Sequence, residues 1–274
     1  MNAEPTIVTT IDGHVATVVL DRPHRHNAWT GRMHAEFRTA MAALETNQRV
    51  RAVVVTGTPP TFCVGGDSDA LARHAEIGGY DPGLPADRAE PGMHRRPEFD
   101  EDFAWMYGYR VPIIAAVNGA AAGVGLALAL FCDLRYGTSS AKVTTAAPKL
   151  GLPAEYGMSW VLPRLIGITR AADLLLTGRT VTVGDTAEWG LWNAVHDDPA
   201  DTLEAALDTA RLLSLTVGPS AVTTTKQPLS ADLHRHDGAA SVRESKALLD
   251  EAMRTAEYRE GIAALRARRP PRFE

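Results

Sequence analysis

Two glycine turns are the first residues of this chain that could do chemistry. Cys63-Val64-Gly65-Gly66-Asp67 follows a short β-branched run. Asn118-Gly119-Ala120-Ala121-Ala122-Gly123 follows an apolar run and opens onto an apolar helix from about Val124 to Cys132. A strand that turns through glycine into a helix presents main-chain N–H groups with no helical partner, at the end where the macrodipole favours negative charge. If the N–H groups of Gly66 and Val124 converge, they form an oxyanion hole for a thioester enolate or a tetrahedral oxyanion. Glycine suits this because a thioester must approach the main chain closely. Tight turns between packed elements would need the same glycines, and spacing alone leaves the two readings level.

Among the carboxylates, Glu155 lies in Gly151-Leu152-Pro153-Ala154-Glu155-Tyr156-Gly157. Facing a thioester, a single carboxylate could move a proton between carbons or attack as a nucleophile. An apolar pocket would raise its pKa and suit it to acid–base work. The plain alternative is a helix-start glutamate favoured by the dipole. Asp67, beside the first donor, could contact substrate or merely cap a helix. Tyr107, Tyr156 and Trp160 could line a substrate pocket, although buried aromatics are more often core. Tyr80 and His94 lie between residues 76 and 101, a stretch rich in Gly, Pro and charge with no clear period, which reads as a mobile loop or lid.

Other patterns fail on detail. Gly123-Val124-Gly125-Leu126-Ala127-Leu128 lacks the third glycine of a dinucleotide fingerprint and its downstream acid. Gly157-Met158-Ser159-Trp160-Val161 lacks the last glycine of a nucleophile elbow. The pairs His24/His26 and His234/His236 have no cysteine or carboxylate companions at zinc spacing.

The elements that must position these groups follow from periodicity. Residues 7–20 alternate around Asp12-Gly13, a hairpin signal. Met33, Phe37, Met41 and Leu44 recur at helical spacing. Ala52 to Gly57 and Ile113 to Val117 read as buried parallel strands, with further strands near 134–137 and 142–145. Helical character dominates after Trp160, including 201–214 and 241–257. The order predicts an α/β core of repeated strand–helix units followed by a helical C-terminal region.

At 274 residues, with 45% hydrophobic and 22% charged, the chain is large enough to bury a core without staples. A net charge of −5 gives no reason to expect nucleic acid or an anionic membrane as partner. Two cysteines, Cys63 and Cys132, make no disulfide framework. Met1-Asn2-Ala3-Glu4-Pro5 lacks the basic start of a signal peptide, and the apolar stretch from Val111 to Cys132 is broken by Pro112, Asn118 and glycines. The expectation is a cytoplasmic protein.

Phe62-Cys63-Val64-Gly65-Gly66-Asp67 resembles the crotonase phrase Phe-Cys-Ala-Gly-Gly-Asp. Ala115-Ala116-Val117-Asn118-Gly119 through Phe131-Cys132-Asp133-Leu134 resembles the second signature of that family, the enoyl-CoA hydratases and isomerases. Arg22-Pro23 with Asn27-Ala28, Leu162-Pro163-Arg164-Leu165-Ile166-Gly167, and Glu260-Gly261 with Arg268-Arg269-Pro270 follow in the right order, so the resemblance spans roughly residues 7 to 273. It implies a crotonase-like spiral of ββα units over residues 1–200 and a helical region over 201–274 that builds trimers or dimers of trimers. It implies acyl-CoA thioesters as substrates, coenzyme A as part of the substrate and no other cofactor or metal, and lyase or isomerase chemistry of the kind used in fatty acid metabolism. It assigns the two donors to Gly66 and Val124, where valine stands in place of a common glycine and narrows the site. Cys63, Val64, Asp67 and Trp160 are the expected substrate contacts, and the resemblance puts Arg268 where the family often has a lysine near the CoA phosphates, a position that a solvated surface arginine fits equally well.

The resemblance also implies a departure. Hydratases of the family use two glutamates, and the matching positions here hold Ala127 and Ala147, which can neither hold water nor shuttle a proton. Glu155 falls where some members, including dienoyl-CoA isomerases and an aryl-CoA dehalogenase, carry a functional aspartate. Double-bond isomerisation with one acid/base is therefore the leading expectation. Hydration at a non-standard site, acyl-CoA hydrolysis or C–C cleavage, and a non-catalytic acyl-CoA-binding protein are the alternatives.

Overall fold

The computed structural model describes residues 4–79, 83–85 and 87–273. The alternating start forms β1 (Ile7–Asp12) and β2 (Val15–Leu20), an antiparallel hairpin. Helix α1 (Gly31–Thr46) begins where Thr30 Oγ1 accepts from Met33 N at 3.1 Å, and it buries Met33, Phe37, Met41 and Leu44, the four positions its period marks.

Three units then repeat one pattern. The first is β3 (Ala52–Gly57), β4 (Thr61–Cys63) and α2 (Ser68–Ile77); the second is β5 (Ile113–Val117), β6 (Ala120–Ala122) and α3 (Val124–Phe131). The third is β7 (Leu134–Thr138), β8 (Lys142–Thr144) and α4 (Met158–Thr177), followed by β9 (Val181–Thr182) and β10 (Ala194–His196). In each unit the first strand joins one sheet and the second joins another, so the chain winds as a spiral. The larger sheet has the order β1-β2-β3-β5-β7-β10 and the smaller β4-β6-β8-β9. Apart from the β1–β2 and β8–β9 pairs, the pairings are parallel. Parallel strands covered on both faces carry unbroken apolar runs, which is why β3 and β5 are buried throughout.

Helices α5 (Pro199–Leu215), α6 (Pro219–Ala231), α7 (Gly238–Ala252) and α8 (Ala256–Ala267) complete the chain. The first of these packs on the outer face of the larger sheet, with Ala206 and Ala210 against Val54, Ile114 and Ala116. The periodic stretch 241–257 is two helices, not one, because Thr255 caps α8 by accepting from Tyr258 N at 3.2 Å.

Residues 89–110, before β5, are bonded to α1. Glu45, buried in α1, accepts from Gly92 N at 2.6 Å, Met93 N at 3.0 Å and Arg110 N at 3.0 Å. Arg38 donates to Ala89 O at 2.8 Å and pairs with Glu90 and Asp102. These long-range bonds leave no periodic trace in the sequence, where residues 76–101 read as a mobile loop or lid. Tyr80 lies outside the described residues; His94 is exposed and its main chain bonds Gly108 O. Glu45→Ala would strand three N–H donors, so we expect a stability loss of about 2 kcal/mol or more by urea titration, with faster amide exchange at Gly92 and Met93.

Candidate active site

Strands β4 and β6 pair in parallel, Thr61 with Ala120 and Cys63 with Ala121. Their C-terminal ends therefore emerge side by side, and so do the two glycine turns. Asn118 fixes the offset: buried, it donates to Gly57 O at 2.8 Å and accepts from Gly57 N at 3.2 Å. Gly65 has φ +104 and Gly123 φ +48, backbone that L side chains rarely adopt. A Cβ on Gly123 would lie 3.9 Å from Gly65 Cα, so the turns meet.

Both expected donors are free at that meeting point. Trp29 forms a parallel bridge with Gly66, its N–H donating to Gly65 O at 2.8 Å and its carbonyl accepting from Asp67 N at 2.9 Å. Such a bridge uses the groups on either side of Gly66 and turns the N–H of Gly66 itself away. Val124 is the first residue of α3, where no helical acceptor exists. Neither N–H has an acceptor among the described residues.

Glu155 joins them. A Cβ on Gly123 would sit 3.4 Å from Glu155 Oε2. The carboxyl is half-buried, makes no hydrogen bond or ion pair with the described residues, and burial lifts its pKa above the ordinary glutamate value. Tyr156 and Gly157, both with positive φ, bend the chain from Glu155 into α4. The Tyr156 ring packs on Phe103 at 5.3 Å between centroids.

The other expected site residues divide. Cys63 is fully buried, and burial pushes its thiol up to about 12, which leaves a neutral packing group against α3. Val64 beside it is exposed. Asp67 caps α2 by accepting from Asp69 N at 3.0 Å and pairs with Arg22 at 2.8 Å and Arg25 at 3.1 Å. Burial alone would raise its pKa, but the hydrogen bonds from Arg25, Arg22 and Asp69 N–H prevail and hold it at about 2. Its side chain is thus spent on fixing the first glycine turn. The two arginines, at 42 and 45 residues' separation, were not readable as its partners. Trp160 is half-buried among Phe99, Tyr107 and His234, with Arg164 4.2 Å above its ring. Arg268 caps α8, exposed and with no ion partner among the described residues; no contact joins it to the turns. Ala127 and Ala147, which the resemblance matches to the two hydratase glutamates, are fully buried and carry no carboxylate.

Among the described residues no cluster of three or more His, Cys, Asp or Glu could hold a metal ion, and no helix is long and apolar enough to cross a membrane.

Known proteins match this chain along nearly its whole length. The sequence pattern of the family described as enoyl-CoA hydratase/isomerase matches residues 10–274. The chain is 33% identical over 274 residues to the 1,2-epoxyphenylacetyl-CoA isomerase of Escherichia coli K12, covering 97% of each. It is 32% identical over 201 residues to 4-chlorobenzoyl coenzyme A dehalogenase-1 of an Arthrobacter species, covering 73% of this chain and 69% of that one. A solved probable enoyl-CoA hydratase/isomerase of Mycobacterium abscessus superposes with a TM-score of 0.85 at 29% identity, covering 98% of both chains. With the spiral fold, the paired glycine turns and a match along nearly the whole sequence, the chain belongs to the enoyl-CoA hydratase/isomerase family, the crotonase enzymes.

Proposed function

We propose that the protein binds an acyl-CoA thioester, polarises its carbonyl with the N–H groups of Gly66 and Val124, and shifts a double bond by moving a proton with Glu155. The observation that carries this is the approach of Glu155 Oε2 to Gly123, beside two N–H groups that have no acceptor among the described residues. The thioester oxygen between the donors would make the α-proton acidic, because they stabilise the enolate better than the ketone-like ground state. A half-buried, unpaired carboxylate with a raised pKa takes that proton and returns it to another carbon. Hydration by paired glutamates has no residues here, since Ala127 and Ala147 fill both places. That two relatives bear the names of an isomerase and a dehalogenase fits a family site reused for several acyl groups.

The reaction needs no cofactor beyond the coenzyme A that the substrate carries, and Arg268 is offered to its phosphates. Residues 201–274 serve assembly into a trimer or a dimer of trimers. Leu229, Leu233, Val242, Leu249, Met253 and Leu265 on the last helices are exposed, an apolar surface of the kind that other copies cover. The location fitting this chemistry is the cytoplasm.

The test is mass spectrometry of enoyl-, dienoyl-, aryl- and β-keto-acyl-CoAs incubated with the protein in deuterated water. Deuterium on carbon without added water is the expected result. An added water would replace isomerisation by hydration, release of free CoA would replace it by hydrolysis, and inert substrates that nevertheless bind would leave a binding protein.

A further inference from the structure

Glu155 and the two N–H donors stand on different elements, so the distance between them has to be set by packing. The side chain of Phe103 lies where that packing converges. Its ring is fully buried and meets three others: Trp29 edge-on at 5.8 Å between centroids, His34 stacked at 5.6 Å and Tyr156 at 5.3 Å. Trp29 and His34 also meet each other at 5.5 Å, which makes a corner for the Phe103 ring. The three partners belong to three parts of the site. Trp29 brackets Gly66 with its main chain, His34 sits in the first turn of α1, and Tyr156 directly follows Glu155.

The backbone reaches this corner at a cost. Phe103 holds φ +61 and ψ −31, a conformation that a bulky L side chain rarely adopts. Such a conformation persists where its neighbours over-determine it. Here Asp102 Oδ1 accepts from Arg38 Nη1 at 3.3 Å and stands 3.4 Å from His34 Nε2, which ties the preceding residue to α1. On the other side Phe103 O accepts from Met106 N at 2.9 Å, and Trp105 N donates to Glu101 O at 3.1 Å.

We infer that Phe103 is a positioning residue for Glu155: its ring, seated against Trp29 and His34, supports Tyr156 and so sets where the Glu155 carboxyl stands against the N–H groups of Gly66 and Val124. The donors are held by main-chain bonds, whereas Tyr156 and Gly157 both have positive φ, so the stretch that carries the base takes its place from side-chain packing. A rigid ring transmits that place better than a flexible chain, and a base displaced by about 1 Å can lose up to about 10²-fold in rate. Burial is also what raises the Glu155 pKa, so a carboxyl released from this packing meets more water and titrates lower. The inference rests on Glu155 as the proton carrier but not on the acyl group it serves.

The test reads the carboxyl itself as well as turnover. NMR titration of the side-chain carboxyl carbons, with the Glu155 signal assigned by its absence in Glu155→Gln, follows this group in the free protein. The wild-type pKa is expected above the ordinary glutamate value, and in Phe103→Leu it should fall back toward that value. In the same variant kcat for the double-bond shift should drop about tenfold or more, with KM held within about twofold. In a Tyr156→Leu background Phe103→Leu should cost little further, since the contact it removes is already gone. Phe103→Met, whose flexible chain refills the space without a ring face, is read in the same way where Phe103→Leu does not fold. A variant that melts lower yet keeps the wild-type Glu155 pKa and the wild-type kcat per folded molecule would make Phe103 a core residue and nothing more. An equal loss in both backgrounds would also overturn the inference. Should the wild type shift no double bond, the isomerase reading falls and the carboxyl titration alone decides on Phe103, a lowered pKa supporting it and an unmoved one overturning it.

Discussion

Glu155→Gln is expected to lower turnover by about 10²–10⁴-fold while leaving acyl-CoA affinity within a few-fold of wild type. The amide keeps the shape of the carboxyl but cannot accept a proton, so only steps that pass through the base should suffer. Two further readouts separate this from general damage. Because burial raises the pKa of Glu155, its base form fills only as pH rises above the usual glutamate range, so kcat/KM should climb with pH along that limb. The same shift has a cost for folding: a carboxyl with a raised folded pKa supports the fold below its unfolded pKa and loses that support as pH rises through the folded one. Glu155→Gln should therefore unfold at a higher temperature than wild type near neutral pH, with the difference closing in acid. Turnover unchanged in the glutamine variant would remove Glu155 from the mechanism.

Gly125→Ala carries the largest expected effect on the fold. Gly125 is the second residue of α3, and a Cβ there would lie 2.3 Å from Cys63 O and 2.6 Å from Cys63 Cβ. The nearest obstacle is main chain at the end of β4, which cannot swing aside as a flexible side chain would. Overpacking of a tight core costs about 1–3 kcal/mol and more where backbone must move, so a loss of about 3 kcal/mol by denaturant titration is expected. The relief available is a shift of α3 away from β4, which carries Val124 N–H away from Gly66 N–H. Any folded fraction should then show a lowered kcat with the thermal shift, since an oxyanion donor displaced by a fraction of an ångström loses much of its worth. A variant with wild-type stability would contradict the close approach of the two units.

How much of this was legible beforehand depends on the range of the interaction. The helical period of Met33, Phe37, Met41 and Leu44 and the apolar runs of β3 and β5 report burial locally, so those elements were readable within a residue or two. The glycine turns were readable as turns, and the family resemblance supplied the idea that they meet. What stayed hidden was every contact made across many residues by a polar side chain. Asp67 could be seen to cap a helix, but not that Arg22 and Arg25 hold it near the main chain of Trp29. Glu45 looked like one more glutamate on an amphipathic helix, although it is buried and anchors three N–H groups. The stretch 241–257 has one apolar period throughout, and only the cap at Thr255 divides it.

The bridge between Trp29 and Gly66 bears on how such a site can change over generations. Trp29 orients the first donor through its own N–H and carbonyl, not through its indole. Replacing the indole by another side chain keeps those two bonds, whereas inserting or deleting one residue between Arg22 and Thr30 would put the wrong main-chain groups opposite Gly65 and Asp67. For these two main-chain bonds the constraint is thus one of loop length, beside the identities that Arg22 and Arg25 need to hold Asp67. Descendants of this chain that keep the length of this loop, and refill the core around Trp29, pass on the orientation of the Gly66 N–H unaltered.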